Sequence, residues 1–188
     1  MSRIQAPAAV EKHSIPPFFD SDSQILILGS FPSVKSRESG FYYGHPQNRF
    51  WKVIAGIFKE PLPQTIDEKK DLLLRHRIAV WDVIDSCDIV GSSDSSIRNV
   101  VPNDMDLILS NAKIQGIFAN GGKAHQLFVK YCNKEGMPPL GKLPSTSPAN
   151  AAWNLERLTE EWKTAFETYL EITEQEKTND PDSKWNRA

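Results

Sequence analysis

The sequence predicts an α/β protein built on a central parallel sheet, and two observations carry that prediction. Continuous apolar runs recur at "ILILGS" (Ile25 to Ser30), "RIAVWDVI" (Arg77 to Ile84) and "IQGIFANGG" (Ile114 to Gly122). Because they are continuous rather than alternating, they suit strands covered on both faces. Between them lie segments whose apolar residues return every three or four positions, the period of a helix. Strand and helix therefore alternate along the chain, the pattern of parallel strands joined by helical crossovers.

Taken in order, residues 1–22, with Pro7, Pro16 and Pro17, read as an N-terminal arm laid over the body. After the first strand, Phe50, Ile54 and Ile57 recur at helical spacing behind Pro46, which places Asn48 and Arg49 in the helix's first turn. Thr65 and Glu68 make a capping box ahead of Leu72 to Leu74. Asn103 is a cap for a helix through Leu109, and Gly122 to Tyr131 carries Ala124, Leu127, Phe128 and Tyr131 on one face. A weaker strand candidate is Gly141 to Ser147. Leu155, Leu158, Trp162, Phe166 and Tyr169 mark the last helix, with Ser147 as its cap and Pro148 at its first position. The organisation expected is one domain over residues 1–172 and a polar, disordered tail over 173–188.

Bulk properties narrow the function classes. No run approaches the roughly 20 apolar residues that span a bilayer, and a secretory leader pattern is lacking. The expectation is a cytoplasmic monomer, nuclear if the source is eukaryotic, with no membrane partner. Cys87 and Cys132 belong to no C-x-x-C pair, and His13, His45, His76 and His125 show no ligand spacing, so no metal and no cofactor are expected. The formal net charge of −2 is unevenly spread, because nine acidic and five basic residues follow from Glu156 onward, leaving 17 basic against 15 acidic before it. A locally positive cleft is compatible with that balance, since phosphate contacts are local.

In open parallel sheets, ligands bind beyond the carboxyl ends of the strands. Four loops are singled out by that rule: 30–47, 82–103, 120–123 and 144–150. In the last, Ser145, Thr146 and Ser147 would hold a phosphate at a helix N-terminus, although ordinary capping is the simpler reading. The second crowds Asp82, Asp85, Asp88 and Asp94 together. Carboxylates there could activate water or bind metal, while turn formation is the plainer role. The first loop, "GFYYGHPQNRFW", sets Tyr42 and Tyr43 beside polar side chains. An exposed ring in such company stacks on a planar ligand or packs beneath the loop.

In chain order, "ILILGSFPS", "GFYYGHPQNRFWKVI" and "LPSTSPAN" are similar to motifs of the uracil-DNA glycosylase superfamily, closest to its hypoxanthine-DNA (deoxyinosine) glycosylase branch. The similarity spans about Gln24 to Tyr169. It implies a three-layer α/β/α fold whose four-stranded parallel sheet has the order 2-1-3-4. It also implies DNA containing deaminated bases as substrate, no metal, no cofactor, and hydrolysis of the bond between base and deoxyribose.

Mismatch-specific relatives carry Asn in the first motif to position water, where this chain has Phe31. The resemblance therefore assigns catalysis to Asn48, with His45 as an alternative proton donor. Ser30, Phe31, Pro32, Ser33 and Tyr43 would line the base pocket, with Tyr43 stacking on the extruded base. Ser145, Thr146, Ser147, Lys35 and Arg37 would contact the DNA backbone. With no carboxylate in the first motif, strong base catalysis is not expected, and stabilisation of the departing base should dominate. Two other readings remain open: a damaged-DNA binding protein that lost the chemistry, motivated by Phe31, and a small-nucleotide hydrolase on the same scaffold.

Overall fold

The computed structural model describes residues 9–171. In chain order its elements begin with β1 (Ala9–Lys12), β2 (Ile25–Gly29), α1 (Val34–Ser39), α2 (Phe50–Phe58), α3 (Ile66–Arg75) and β3 (Ile78–Asp82). They continue with β4 (Ile84–Ile89), β5 (Arg98–Pro102), α4 (Asp106–Leu109), β6 (Gly116–Asn120), α5 (Gly122–Tyr131), β7 (Leu140–Leu143) and α6 (Leu155–Phe166).

The central sheet has the order β3-β2-β6-β7, with every neighbouring pair parallel. Ile25 lies opposite both Ile78 and Gly116, which brings Gly29 level with Asp82. All residues of β2 and β3 are buried, as continuous apolar strands require. The chain runs from β2 outward to β3 and later returns to β6 on the other side, so the direction of winding changes between β2 and β6. Such a switch point is where an open α/β sheet forms a crevice.

The helices close the core for local reasons. Thr65 accepts from the Glu68 amide and the Glu68 carboxylate accepts from the Thr65 amide, so the expected capping box opens α3. Helix α6 buries Leu158, Trp162 and Phe166 and packs against α2 through an edge-on Phe50–Trp162 contact at 5.9 Å. Each such side chain contributes about 1.5–3 kcal/mol when fully buried. The Trp162 indole N–H also donates to the Pro144 carbonyl at 3.0 Å, tying α6 to the loop after β7.

Several expectations need correction. Helix α6 opens at Asn154, whose side chain accepts from the Arg157 amide at 2.8 Å, and Ser147–Pro148 sit in a turn instead. Asn103 does not cap α4: its Nδ2 donates to the Asp82 and Ile84 carbonyls and pins the end of β3. Helix α2 begins at Phe50, so Asn48 precedes it and Arg49 is the capping position. The last strand ends at Leu143, and short helix α1 was not foreseen.

The largest difference is a second sheet, β1-β4-β5, antiparallel and built partly from the Asp- and Ser-rich stretch read as loop. The register shifts between Ile84 and Ser86 and again before Asp88 break the alternation that would have revealed β4. Strand β1 brings the N-terminal segment onto the body, and Phe18 forms a further bridge with Val80. The expected 173–188 tail lies outside the described residues. Among the described residues, no helix is long and apolar enough to cross a membrane.

Candidate active site

A cavity of about 340 Å³ opens at the carboxyl ends of the central strands, within the range of small-molecule sites. All four singled-out regions border it or support it: Ser30 to Ser36 after β2, Asp82 and Asp94 from the second, Asn120 at the third, and Ser145 to Pro148 at the fourth. Gly121, at φ 98°, permits the third and fourth loops to meet, since a Cβ there would stand 3.0 Å from that of Ser145.

Asn48 lines this cavity with its orientation fixed from one side. Its Oδ1 accepts from the Phe50 amide and from the Thr146 hydroxyl, both at 2.9 Å. Thr146 is itself held by Asn120, whose Nδ2 donates to Thr146 Oγ1 at 2.9 Å and whose Oδ1 accepts from the Thr146 amide at 3.0 Å. Thr146 is 0% exposed, so this relay is shielded from competing water. With the oxygen fully engaged, the Asn48 NH2 group has no acceptor among the described residues. Chemically, the site offers a pre-oriented amide donor.

Arg49 holds the two motif loops together. Its guanidinium donates to the carbonyls of Ser147 at 2.7 Å, Asn150 at 3.1 Å, Thr146 at 3.3 Å and Trp153. Five fixed N–H donors suit such a many-pronged clamp. All of these partners are backbone carbonyls, so the guanidinium is a structural tie.

Tyr43 adopts a left-handed backbone, φ 54°, an uncommon conformation for a bulky residue. One ring face stacks on Phe50 at 3.9 Å, and the ring borders the cavity. Its hydroxyl is buried without a hydrogen-bond partner. Burial, then the nearby Asp82 carboxylate, push this phenol above the usual range, and weaker polar contact with Asn120 only partly opposes them. Tyr42 takes the other role anticipated for the pair: it is buried, and its hydroxyl donates to the Pro16 carbonyl at 2.9 Å.

Among the remaining expected residues, Ser30, Phe31, Pro32 and Ser33 all line the cavity. The Ser30 hydroxyl donates to Asp94 at 2.7 Å, and Ser33 caps α1. His45 also lines it, with Nδ1 accepting from the Gln47 amide at 3.2 Å, a turn-forming bond. Lys35 lies at the exposed rim beside Glu38 at 2.8 Å, whereas Arg37 does not border the cavity. Its guanidinium sits 5.5 Å from the Phe31 ring centroid and donates to Pro32 O at 3.4 Å. Ser145 and Ser147 border the cavity, each with its hydroxyl accepting a backbone amide two residues on. Thr146 is an internal post, and these three residues do not open α6, which starts after Asn154.

Asp82 and Asn120, the last residues of β3 and β6, fall in loops that the carboxyl-end rule singled out but were not assigned to the base pocket, and His13 was missed altogether. His13 carried no local signal, because only folding of the arm brings it to Asp82, 69 residues away.

Residues 16–171 match the model of the uracil DNA glycosylase superfamily, and the chain belongs to that superfamily. It is 36% identical over 158 residues to a hypoxanthine DNA glycosylase of Methanosarcina acetivorans, covering 82% of this chain and 98% of that one. Identity to a hypoxanthine DNA glycosylase of Methanosarcina barkeri is 34% over 118 residues, covering 61% of this chain and 74% of that one. A solution NMR structure from Methanosarcina acetivorans, described as a candidate uracil DNA glycosylase, superposes with a TM-score of 0.69 at 32% identity, covering 85% and 98% of the two chains.

Proposed function

We propose that this protein is a monofunctional DNA glycosylase that hydrolyses the N-glycosidic bond of deaminated bases, hypoxanthine first and uracil or xanthine as further substrates, leaving an abasic site. The observation that carries the reading is the Asn48 carboxamide, clamped by Thr146 at 2.9 Å with its NH2 group left for a ligand, in a cavity of about 340 Å³ beside an aromatic ring.

Chemistry on a base inside a duplex requires its extrusion, which costs a few kcal/mol and least for a mispaired or damaged base. In the cavity, Tyr43 would offer its ring to the base. Breakage of the glycosidic bond builds negative charge on the departing base and positive charge on the sugar. The Asn48 NH2, with the Ser30 and Phe31 amides, would stabilise the former, and one donor of this kind is worth about 3–4 kcal/mol in other enzymes. The order of events is dissociative, with water attacking late, because Phe31 can neither orient nor deprotonate it. Ser145 and Ser147 would hold the DNA backbone at the rim with Lys35. The chain would act as a monomer in the cytoplasm, or the nucleus of a eukaryote.

A panel of single-lesion oligonucleotides carrying deoxyinosine, deoxyuridine or deoxyxanthosine, double- and single-stranded, tests this after alkali cleavage of abasic sites. Strand breaks at deoxyinosine are the expected result. Tight binding to every lesion with no breaks would instead identify a damaged-DNA binding protein, and turnover of free deoxyinosine as readily as duplex would identify a nucleotide hydrolase.

A further inference from the structure

Of the aspartates crowded into residues 82–94, only Asp82 and Asp94 border the cavity, and the account above leaves Asp94 without a task. Asp82 is 4% exposed and tied to His13 at 2.8 Å, whereas Asp94 is solvent-exposed as well as cavity-lining, so water and substrate can both reach it. Its place is fixed by short bonds. The Ser30 hydroxyl donates to Asp94 Oδ1 at 2.7 Å, across 64 residues of sequence. The Ser92 hydroxyl accepts from the Val34 amide at 2.9 Å, a second tie between the β4–β5 connection and the segment after β2. Within that connection, the Ser96 hydroxyl accepts from the Val90 amide at 2.9 Å and donates to the Ser93 carbonyl at 2.7 Å, while Ile97 is buried. Bracing of this kind is what a reacting group on a loop requires. Asp94 Oδ2 has no hydrogen-bond donor among the described residues.

Ser30 is the immediate neighbour of Phe31, whose ring can neither orient nor deprotonate water. A carboxylate is thus brought to the edge of the first motif by a different part of the chain. It carries negative charge and only accepts hydrogen bonds, whereas the Asn48 NH2 group only donates. Breaking the glycosidic bond makes the base negative and the sugar positive, so the two groups suit opposite ends of that bond. They also reach the cavity by separate supports, Asn48 through Thr146 and Asn120, and Asp94 through Ser30.

We infer that Asp94 is a second catalytic residue, whose carboxylate faces the positively charged sugar and receives the attacking water. The inference rests on the glycosylase reading and deepens it. As the C1′–N bond breaks, its electron pair leaves with the base, and the carboxylate offsets the positive charge left on the deoxyribose. Water then forms the C1′–O bond while Asp94 accepts one of its protons and passes it to solvent. The departed base anion takes a proton from solvent in turn. Fixed charge aimed at charge that develops only during the reaction accelerates it without strengthening substrate binding.

The test measures single-turnover release of hypoxanthine from deoxyinosine duplex by the full chain as wild type, Asp94→Asn and Asp94→Ala, with lesion-duplex affinity and thermal melts on the same preparations. Asp94→Asn keeps an oxygen for the Ser30 hydroxyl and loses the charge, so its rate should fall by about tenfold to a thousandfold. Its affinity for the duplex should be unchanged or tighter, because a negative charge facing the phosphates is gone. Asp94→Ala should be slow too, and added azide, a small anion that can occupy the place of the carboxylate, should raise its rate severalfold while leaving wild type unchanged. If Asp94→Asn does not fold, the azide response of Asp94→Ala decides. A folded Asp94→Asn at the wild-type rate, or a folded Asp94→Ala that azide does not accelerate, overturns the inference alone. So does a rate loss matched by an equal loss of lesion affinity, which would make Asp94 a support for the loop after β2. A wild type that releases no base from any lesion duplex overturns the glycosylase reading and this inference with it.

Discussion

The Thr146 hydroxyl donates to the Asn48 carboxamide oxygen at 2.9 Å, joining two loops 98 residues apart in sequence. Together with the Phe50 amide, also at 2.9 Å, the bond fixes which end of the carboxamide faces the cavity. Thr146→Val keeps the shape of the side chain and removes the donor, so Asn48 is held by the Phe50 amide alone and its orientation loosens. We predict a loss of about tenfold to hundredfold in single-turnover base release from deoxyinosine duplex, the scale of a small misplacement in an active site. Thr146→Ser should restore most of it. An unimpaired valine variant would mean that the hydroxyl does not position Asn48.

Arg49 presents a second, mechanical prediction. Replacing it with Lys leaves one ammonium for the carbonyls of residues 146, 147, 150 and 153. Loss of charged hydrogen bonds should destabilise the fold by about 2–4 kcal/mol. Urea unfolding at unchanged slope measures this, and a lysine variant as stable as wild type would show that the clamp adds nothing.

Much of this architecture was legible because its signals are local. Continuous runs such as Ile25 to Leu28 declare doubly covered strands, and the Thr65–Glu68 box declares a helix start through its own side chains. The cavity's position followed from the strand ends, and most of its expected lining is there, including Ser30 to Ser33, Tyr43, His45 and Asn48. What escaped depended on distant partners. Strand β4 is polar and bulged, and exists because β1 and β5 pair with it. Thr146 reads as a phosphate-binding residue by its neighbours in sequence, yet its neighbours in space are Asn48 and Asn120. Asp82 looked like one turn-former among several until His13 was seen against it.

The two cysteines should be inert in the native protein. Cys87 and Cys132 are 1% and 4% exposed, and burial pushes each thiol up to about 11. Because the thiolate is the reactive form, a disulfide-exchange reagent at pH 7.5 should titrate almost no thiol in native protein and both in denaturant. Rapid native reaction at either position would contradict this packing.

Glu60 supplies a pH-dependent contribution to stability. A hydrogen bond from Arg75, with His76 also at 2.7 Å, holds its carboxyl below the ordinary range, against the opposing effect of partial burial. A depressed carboxyl stabilises the fold above its unfolded-state value, and the contribution fades as pH falls through the folded-state value. The group is a quarter exposed, so solvent screening limits Glu60→Gln to a cost of about 1 kcal/mol at pH 7. Paired melts of wild type and variant should converge as the pH is lowered below about 4. A constant difference across that range would assign the effect to packing instead.

The central claim is that the Asn48 carboxamide promotes departure of the base. Its most direct test is the single-turnover rate of hypoxanthine release by Asn48→Ala, with lesion-duplex affinity and melting temperature measured on the same preparation. We predict normal folding, retained binding and a rate reduced by at least about hundredfold, the scale of losing one transition-state donor. Release at the wild-type rate by a folded, DNA-binding Asn48→Ala would contradict the account.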